Sequence, residues 1–233
     1  MKVRIKYSKT GYMKYVAHLD MLRYFQKAIR RSGIDIAYTD GFSPHQKVSF
    51  AAPLAVGMQS LGEYFDIEVN SSLDEETSRK LLDDTMVEGI SVLNYKILPD
   101  NAGKCMSICE ASDYFVPYMA GETSVSDIQN IVDSFMSQDE IVVYRKTKCT
   151  EGEAEVKKYI YDMKAMEYED YDGNKLKGVY MMLATGSVYN LKPEILAVKM
   201  GICDEEQVKC NIVRLETYRR DDEGDFVPLD VYE

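Results

Sequence analysis

Tyr64-Phe65-Asp66-Ile67-Glu68-Val69 sets Tyr64, Asp66 and Glu68 against Phe65, Ile67 and Val69. A period of two is that of a strand with one face in a core and the other toward water. Upstream, Val48 to Ala52 reads as a second strand, joined to the first through Pro53 and Gly57. Further back, Leu22, Phe25 and Ile29 recur at helical spacing between Asp20 and Ser32, with Asp20 as the candidate N-cap and Gly33 as the stop. Lys2 to Tyr7 alternates charged and apolar residues, again as a strand does. Downstream, Ser72 or Asp74 begins a helix to about Met86 with Leu81 and Leu82 on its apolar face, and Ile90 to Leu98 is a strand. With the short Ile34 to Tyr38 piece set aside, the order is strand, helix, strand, strand, helix, strand, which is the split βαβ pattern of ferredoxin-like folds.

Pro99-Asp100-Asn101-Ala102-Gly103 has the composition of a linker, and beyond it the same order recurs. Ala111 to Met119 is a strand, Ser124 to Met136 a helix opened by the capping-box pattern Ser124-Val125-Ser126-Asp127, and Ile141 to Lys146 a strand. Val179 to Thr185, a helix from Lys192 to Met200 with Pro193 in its first turn, and Ile212 to Arg219 complete the set. Tyr159 to Glu169 reads as an added edge strand before the Asp170-Tyr171-Asp172-Gly173-Asn174 turn. The expected architecture is α+β: two tandem ferredoxin-like (βαββαβ) units with antiparallel sheets. The first spans 1–99 and carries the basic site; the second spans 104–233 and is acidic, with an inserted hairpin near 156–178.

No stretch of about eighteen apolar residues occurs, so no membrane span is expected, and the opening residues lack the apolar core of a signal peptide. The chain reads as cytoplasmic. Five cysteines, an odd number, do not suggest a disulfide framework. Cys105 and Cys109 begin a C-x3-C-x2-C cluster motif, but Ser112 occupies the third ligand position, so no cofactor is expected in this chain. Of the eighteen tyrosines eleven fall in the acidic second half, and half-buried packing at strand positions explains them better than base stacking.

Net charge is −11, and it is unevenly spread. Residues 1–50 hold ten Lys or Arg against three Asp, whereas the remainder hold eighteen against thirty-six acidic residues. Arg23, Lys27, Arg30 and Arg31 fall on the outward face of the first helix, and Lys47 follows in the next loop. Arginine's planar fork suits phosphate and carboxylate, so these five are the candidate anion-binding residues. A solvated basic surface, or pairing with acidic segments of the fold, is the bland alternative.

Both histidines, His18 and His45, flank that helix. With Asp20 they form the candidate catalytic set, since imidazole exchanges protons near neutral pH and a carboxylate can orient it. The same three residues could ligate zinc, although their spacing matches no standard site. His45 closes the loop Gly41-Phe42-Ser43-Pro44-His45, in which Gly41 supplies a positive backbone angle, Pro44 fixes chain direction and Phe42 completes the scaffold.

His18-Leu19-Asp20, Arg23, Arg30-Arg31, Gly41-Phe42-Ser43-Pro44-His45, Ser49-Phe50, Pro53-Leu54-Ala55-Val56-Gly57 and Glu63-Tyr64 together resemble the radical-SAM-linked protein family, a domain of unknown function. The resemblance is strong over residues 1–70 and looser to about 220, where Leu191-Lys192-Pro193-Glu194 and Arg214 sit at similar places. It implies a radical SAM protein as partner and a setting among RNA-processing and ribosomal genes. The expected role is an accessory protein that binds an anionic substrate such as RNA at the His/Arg-rich site. The alternative is a stand-alone enzyme, nuclease-like or metal-dependent, using His18, Asp20 and His45.

Overall fold

The computed structural model describes residues 1–146, 151–204 and 211–232. The elements are β1 (Lys2–Lys9), α1 (His18–Ser32), β2 (Val48–Phe50), β3 (Gln59–Glu68), α2 (Glu75–Asp83) and β4 (Ile90–Ile97), then α3 (Cys105–Ile108), β5 (Ala111–Pro117), α4 (Val125–Met136), β6 (Val142–Lys146), β7 (Glu151–Glu155), β8 (Ile160–Glu169), β9 (Lys175–Ala184), α5 (Pro193–Lys199), β10 (Val213–Arg220) and β11 (Phe226–Pro228). Among the described residues, nine strands make one mostly antiparallel sheet in the order β4-β1-β3-β10-β5-β9-β8, with β2 added on β3 and β11 on β10. No described helix is long and apolar enough to cross a membrane.

The first half pairs β4-β1-β3-β2, antiparallel at every step. The second half pairs β10-β5-β9-β8, also antiparallel throughout. A short parallel pairing, Val213 with Gln59 and Arg214 with Ser60, joins the halves into a continuous sheet. Gly62 makes this join possible: a Cβ there would stand 2.6 Å from the Glu216 Cα, so any side chain would push β3 off β10.

Alternation decides the two faces. Val3, Ile5, Tyr7, Phe65 and Ile67 form a core with Phe25 and Ile29 of α1 and Leu82 of α2. Tyr114, Val116, Val179, Met181 and Leu183 form the matching core of the second half with Ile128, Val132 and Phe135 of α4 and Leu196 of α5. The opposite face is polar and cross-linked. There Arg4 binds Asp66, Lys6 binds Glu216, and the Tyr64 hydroxyl donates to Glu216 (2.7 Å) and Asp230 (2.9 Å).

Helix ends follow the sequence with one exception. Asp74 accepts from the Thr77 amide, Ser124 and Asp127 make a capping box, Pro193 opens α5, and Gly33 ends α1 in the left-handed region. Asp20 does not cap α1. The helix starts three residues earlier, with Ala17 at the N-cap, and Asp20 pairs instead with Arg23 one turn on. The buried face of α1 holds Phe25 and Ile29 as expected, with Met21 and Ala28 beside them and Leu22 half-buried at the margin of the same core.

The second half differs from expectation in one exchange of strands. Val142–Lys146 leaves the sheet and pairs with Glu151–Glu155 in a separate ribbon, while Ile160–Glu169 takes the sheet edge beside β9. The inserted hairpin is therefore the β6–β7 ribbon, and the piece expected as an addition is a principal strand. The Pro99 to Gly103 segment is likewise not free: the Gly103 carbonyl accepts from Arg4 at 2.8 Å and the Cys105 amide donates to Asp66 at 2.7 Å.

Asp113, 5% exposed on β5, accepts from the Tyr218 hydroxyl at 2.9 Å. Burial holds its pKa above the ordinary carboxylate value, and the Tyr218 bond offsets this only in part. A carboxyl whose folded pKa is raised binds its proton more tightly in the native state, so stability falls as pH climbs past the unfolded value. Asp113→Asn, which can still accept from Tyr218, is expected to raise stability at neutral pH by about 1 kcal/mol, the scale of one imperfectly compensated buried polar group. In acid, where the wild-type carboxyl is protonated, the gain should vanish; thermal unfolding across pH measures both.

Candidate functional site

A cleft of about 440 Å³ opens on the helix-covered face where the two halves meet. β1 occupies one flank of β3, so β10 and β2 share the other, β10 near its start and β2 near its end. The chain from Phe50 to Pro53 runs between them and forms one wall of the cleft. His18 and Leu22 of α1 form a second wall, Met106 and Cys109 a third, and Thr185, Gly186, Ser187 and Asn190 after β9 a fourth. The close packing of the third and fourth walls needs Gly186, because a Cβ there would lie 2.2 Å from the Cys109 carbonyl oxygen.

Arg214 makes the floor. It is 4% exposed; its Nη1 donates to Glu63 Oε1 at 2.9 Å and to the Ala52 carbonyl at 3.1 Å, and its Nη2 reaches the Tyr114 hydroxyl at 3.4 Å. Burial alone would lower the Arg214 pKa; the Glu63 carboxylate and Tyr114 outweigh it and raise the value, so the guanidinium stays charged. Among the described residues Arg214 Nε has no hydrogen-bond partner. Lys9, also buried beside Glu63, donates to the Val16 carbonyl at 2.7 Å and so fixes the chain just ahead of α1.

Cys109 donates to the Thr185 carbonyl at 3.2 Å, and burial pushes its thiol up to about 11, so it is a neutral group at ordinary pH. Cys105 donates elsewhere, to the Ser49 carbonyl, and Ser112 is fully buried in β5. The three residues of the cluster-like motif thus serve different packing sites. The loop of the fourth wall is fastened from outside by the ribbon: Arg145 donates to the Asn190 carbonyl at 2.8 Å and lies over the Tyr189 ring, which stacks on Tyr159 at 3.5 Å.

Of the residues expected at a site, His18 alone lines the cleft. Its ring meets the edge of Phe50 at 5.2 Å, beside the cluster of Tyr7, Phe25 and Phe65. Asp20 is exposed and paired with Arg23 at 3.1 Å. His45 sits in an exposed loop closed on itself, its amide donating to the Thr39 hydroxyl and its carbonyl accepting from the Thr39 amide. Gly41 has φ 108° as expected, and Phe42 and Pro44 point to solvent at the tip of that loop. Among the described residues, no group of three His, Cys, Asp or Glu is arranged to hold a metal, so His18, Asp20 and His45 do not gather as one.

The five cations divide. Lys47 is held by Glu68 at 2.7 Å and Arg31 donates to the Thr85 carbonyl at 3.2 Å. Lys27 and Arg30 are exposed, with no ion-pair partner among the described residues. Sequence reading gives Thr185, Ser187 and Asn190 no site role and singles out Cys109, Glu63 and Arg214 on other grounds; what brings them to one cleft is pairing between distant segments.

No curated protein matches the chain. Among solved structures it is similar to a chain of "Crystal Structure of a Cbf5-Nop10-Gar1 Complex", with a TM-score of 0.50 and 10% identity over 94% of this chain and 50% of that one. The chain thus spans about half the length of that neighbour, and at such identity the likeness is one of fold. The family described as "Uncharacterized protein conserved in bacteria (DUF2344)" matches residues 2–193, a stretch that includes α1, the Phe50 to Pro53 wall and the fourth wall to Asn190. With most of its length and all four cleft walls inside that match, and only the Arg214 floor beyond it, the chain belongs to this family.

Proposed function

We propose that the protein is a cytoplasmic accessory to a radical SAM enzyme and holds an anionic substrate, RNA, for it. The observation that carries this reading is the pair of solvent-facing cations Lys27 and Arg30 on the helix whose first residue, His18, lines the cleft. Phosphates bound along that helix would bring the rest of the substrate to the cleft mouth. The strand orders β4-β1-β3-β2 and β10-β5-β9-β8 support two tandem ferredoxin-like units, a fold that offers sheets and flanking helices as binding surfaces. Holding is favoured over chemistry because the acid–base set is dispersed: His18 faces the cleft, Asp20 is tied to Arg23, and His45 lies in an outer loop.

Single-stranded RNA should be retained at low salt and released as salt rises. Lys27→Glu with Arg30→Glu should abolish retention, and even the two neutral changes to Gln should flatten the slope of log K against log salt by about 1.4, at about 0.7 for each single-strand phosphate contact. Unchanged retention by the charge-reversed variant would remove the RNA reading. Co-purification from native cells tests the partner, whose iron–sulfur cluster would be visible by absorbance; its absence would remove the radical SAM reading.

A further inference from the structure

The geometry points to the cleft as a receptor for one unstacked nucleobase, with the sugar and phosphates left outside. This rests on the RNA reading and names what the cleft itself takes. Charge is the first argument. Arg214 is already compensated by Glu63 at 2.9 Å, Cys109 holds its proton, and among the described residues no carboxylate lines the walls, so the cleft suits a neutral group and not a phosphate. Shape and edge chemistry are the second. Leu22, Phe50, Pro53 and Met106 supply apolar surface for the faces of a flat ring, while the exposed Ser187 and Asn190 bring donors and acceptors to one side. That division is how proteins read single-stranded bases, by packing on the faces and hydrogen bonding at an edge.

Size is the third argument. At about 440 Å³ the cleft is near the lower end of small-molecule sites, enough for one base but not for a stacked run. The edge is also fixed in advance, since Arg145 grips the Asn190 carbonyl and the Tyr189–Tyr159 stack braces the loop from the ribbon side. The Asn190 side-chain amide offers both a donor pair and an acceptor, which matches the mixed edge of a base.

The probe is the fluorescent base analogue aminopurine riboside, titrated into the full chain with the four natural nucleosides as competitors. Binding is expected in the wild type and should be unchanged between about 0.1 M and about 0.5 M salt, a range over which phosphate contacts weaken steeply. Ser187→Trp, at an exposed wall position, should block it without disturbing the thermal midpoint, and Asn190→Ala should weaken it up to about tenfold, the loss of one neutral hydrogen bond. Lys27→Glu with Arg30→Glu should leave it intact. No binding by the probe or any nucleoside, or binding indifferent to Ser187→Trp, overturns the assignment even if RNA is retained by α1. Nucleoside binding in a wild type that does not retain RNA keeps the base site and removes the RNA reading instead.

Discussion

Arg214→Leu is expected to lower folding stability by about 3–5 kcal/mol, the usual consequence of removing one partner from a buried ion pair. Arg214 and Glu63 are each 5% exposed at the side chain, and the guanidinium touches three segments: Glu63 on β3, the Ala52 carbonyl in the cleft wall and Tyr114 on β5. Without it the Glu63 carboxylate stays in the interior with only Lys9 nearby, and burial already works against the Lys9 charge. The cost should lie mainly in that stranded charge. Arg214→Leu combined with Glu63→Leu should therefore recover most of the loss, because a buried pair replaced by apolar groups is often neutral. Urea unfolding of the two single variants and the double variant closes the cycle. A double variant as unstable as Arg214→Leu alone would mean that the bonds to Ala52 and Tyr114, and not the charge, hold the floor together. The same ion pair keeps the cleft neutral, so a variant that leaves Glu63 alone there should repel RNA as well as destabilise the sheet.

The strands were legible because their cause is local. Alternation in Lys2 to Tyr7 and Tyr64 to Val69 placed the apolar residues on the helix-covered face, where Ile5 and Phe65 do pair in register. The exchange between Val142–Lys146 and Ile160–Glu169 was not legible from alternation, which both segments share. The Asp170 to Asn174 turn held a better signal: Asp170 Oδ1 accepts from the Asp172 and Asn174 amides, and a tight turn of that kind commits its two flanks to each other. Charge was read correctly in amount and only partly in place. Arg4, Lys6 and Lys47 of the basic first fifty residues pair with Asp66, Glu216 and Glu68 within the fold, as the bland alternative has it, whereas Lys27 and Arg30 stay exposed. The cleft was hidden for the same reason. Its floor pairs residues 151 positions apart, and strand pairing at that distance leaves no periodic trace in either segment.

Arg4→Met should be as damaging as any change at the cleft floor, about 3–5 kcal/mol, yet act on the opposite face of the sheet. Arg4 is fully buried. Its Nε and Nη2 grip Asp66 at 2.8 and 3.0 Å, its Nη1 donates to the Leu229 carbonyl and the Tyr232 hydroxyl at 2.7 Å each, and its Nη2 also donates to the Gly103 carbonyl at 2.8 Å. One side chain thus fastens the segment after β11 and the turn before α3 onto β1. Arg4→Lys should rescue little, because an ammonium on a flexible stem cannot reproduce a planar fork with partners in three directions. Hydrogen exchange distinguishes local from global loss. The Leu229 and Cys105 amides, bonded to the Thr217 carbonyl and Asp66, should lose protection first, while amides of α1 keep theirs. Uniform loss would mean that the polar face is as much a part of the folding unit as the apolar one. If the loss is local, aminopurine riboside should still enter the cleft of Arg4→Met at temperatures where the protein remains folded, since Val3, Ile5 and Tyr7 separate the two sites across the thickness of the sheet.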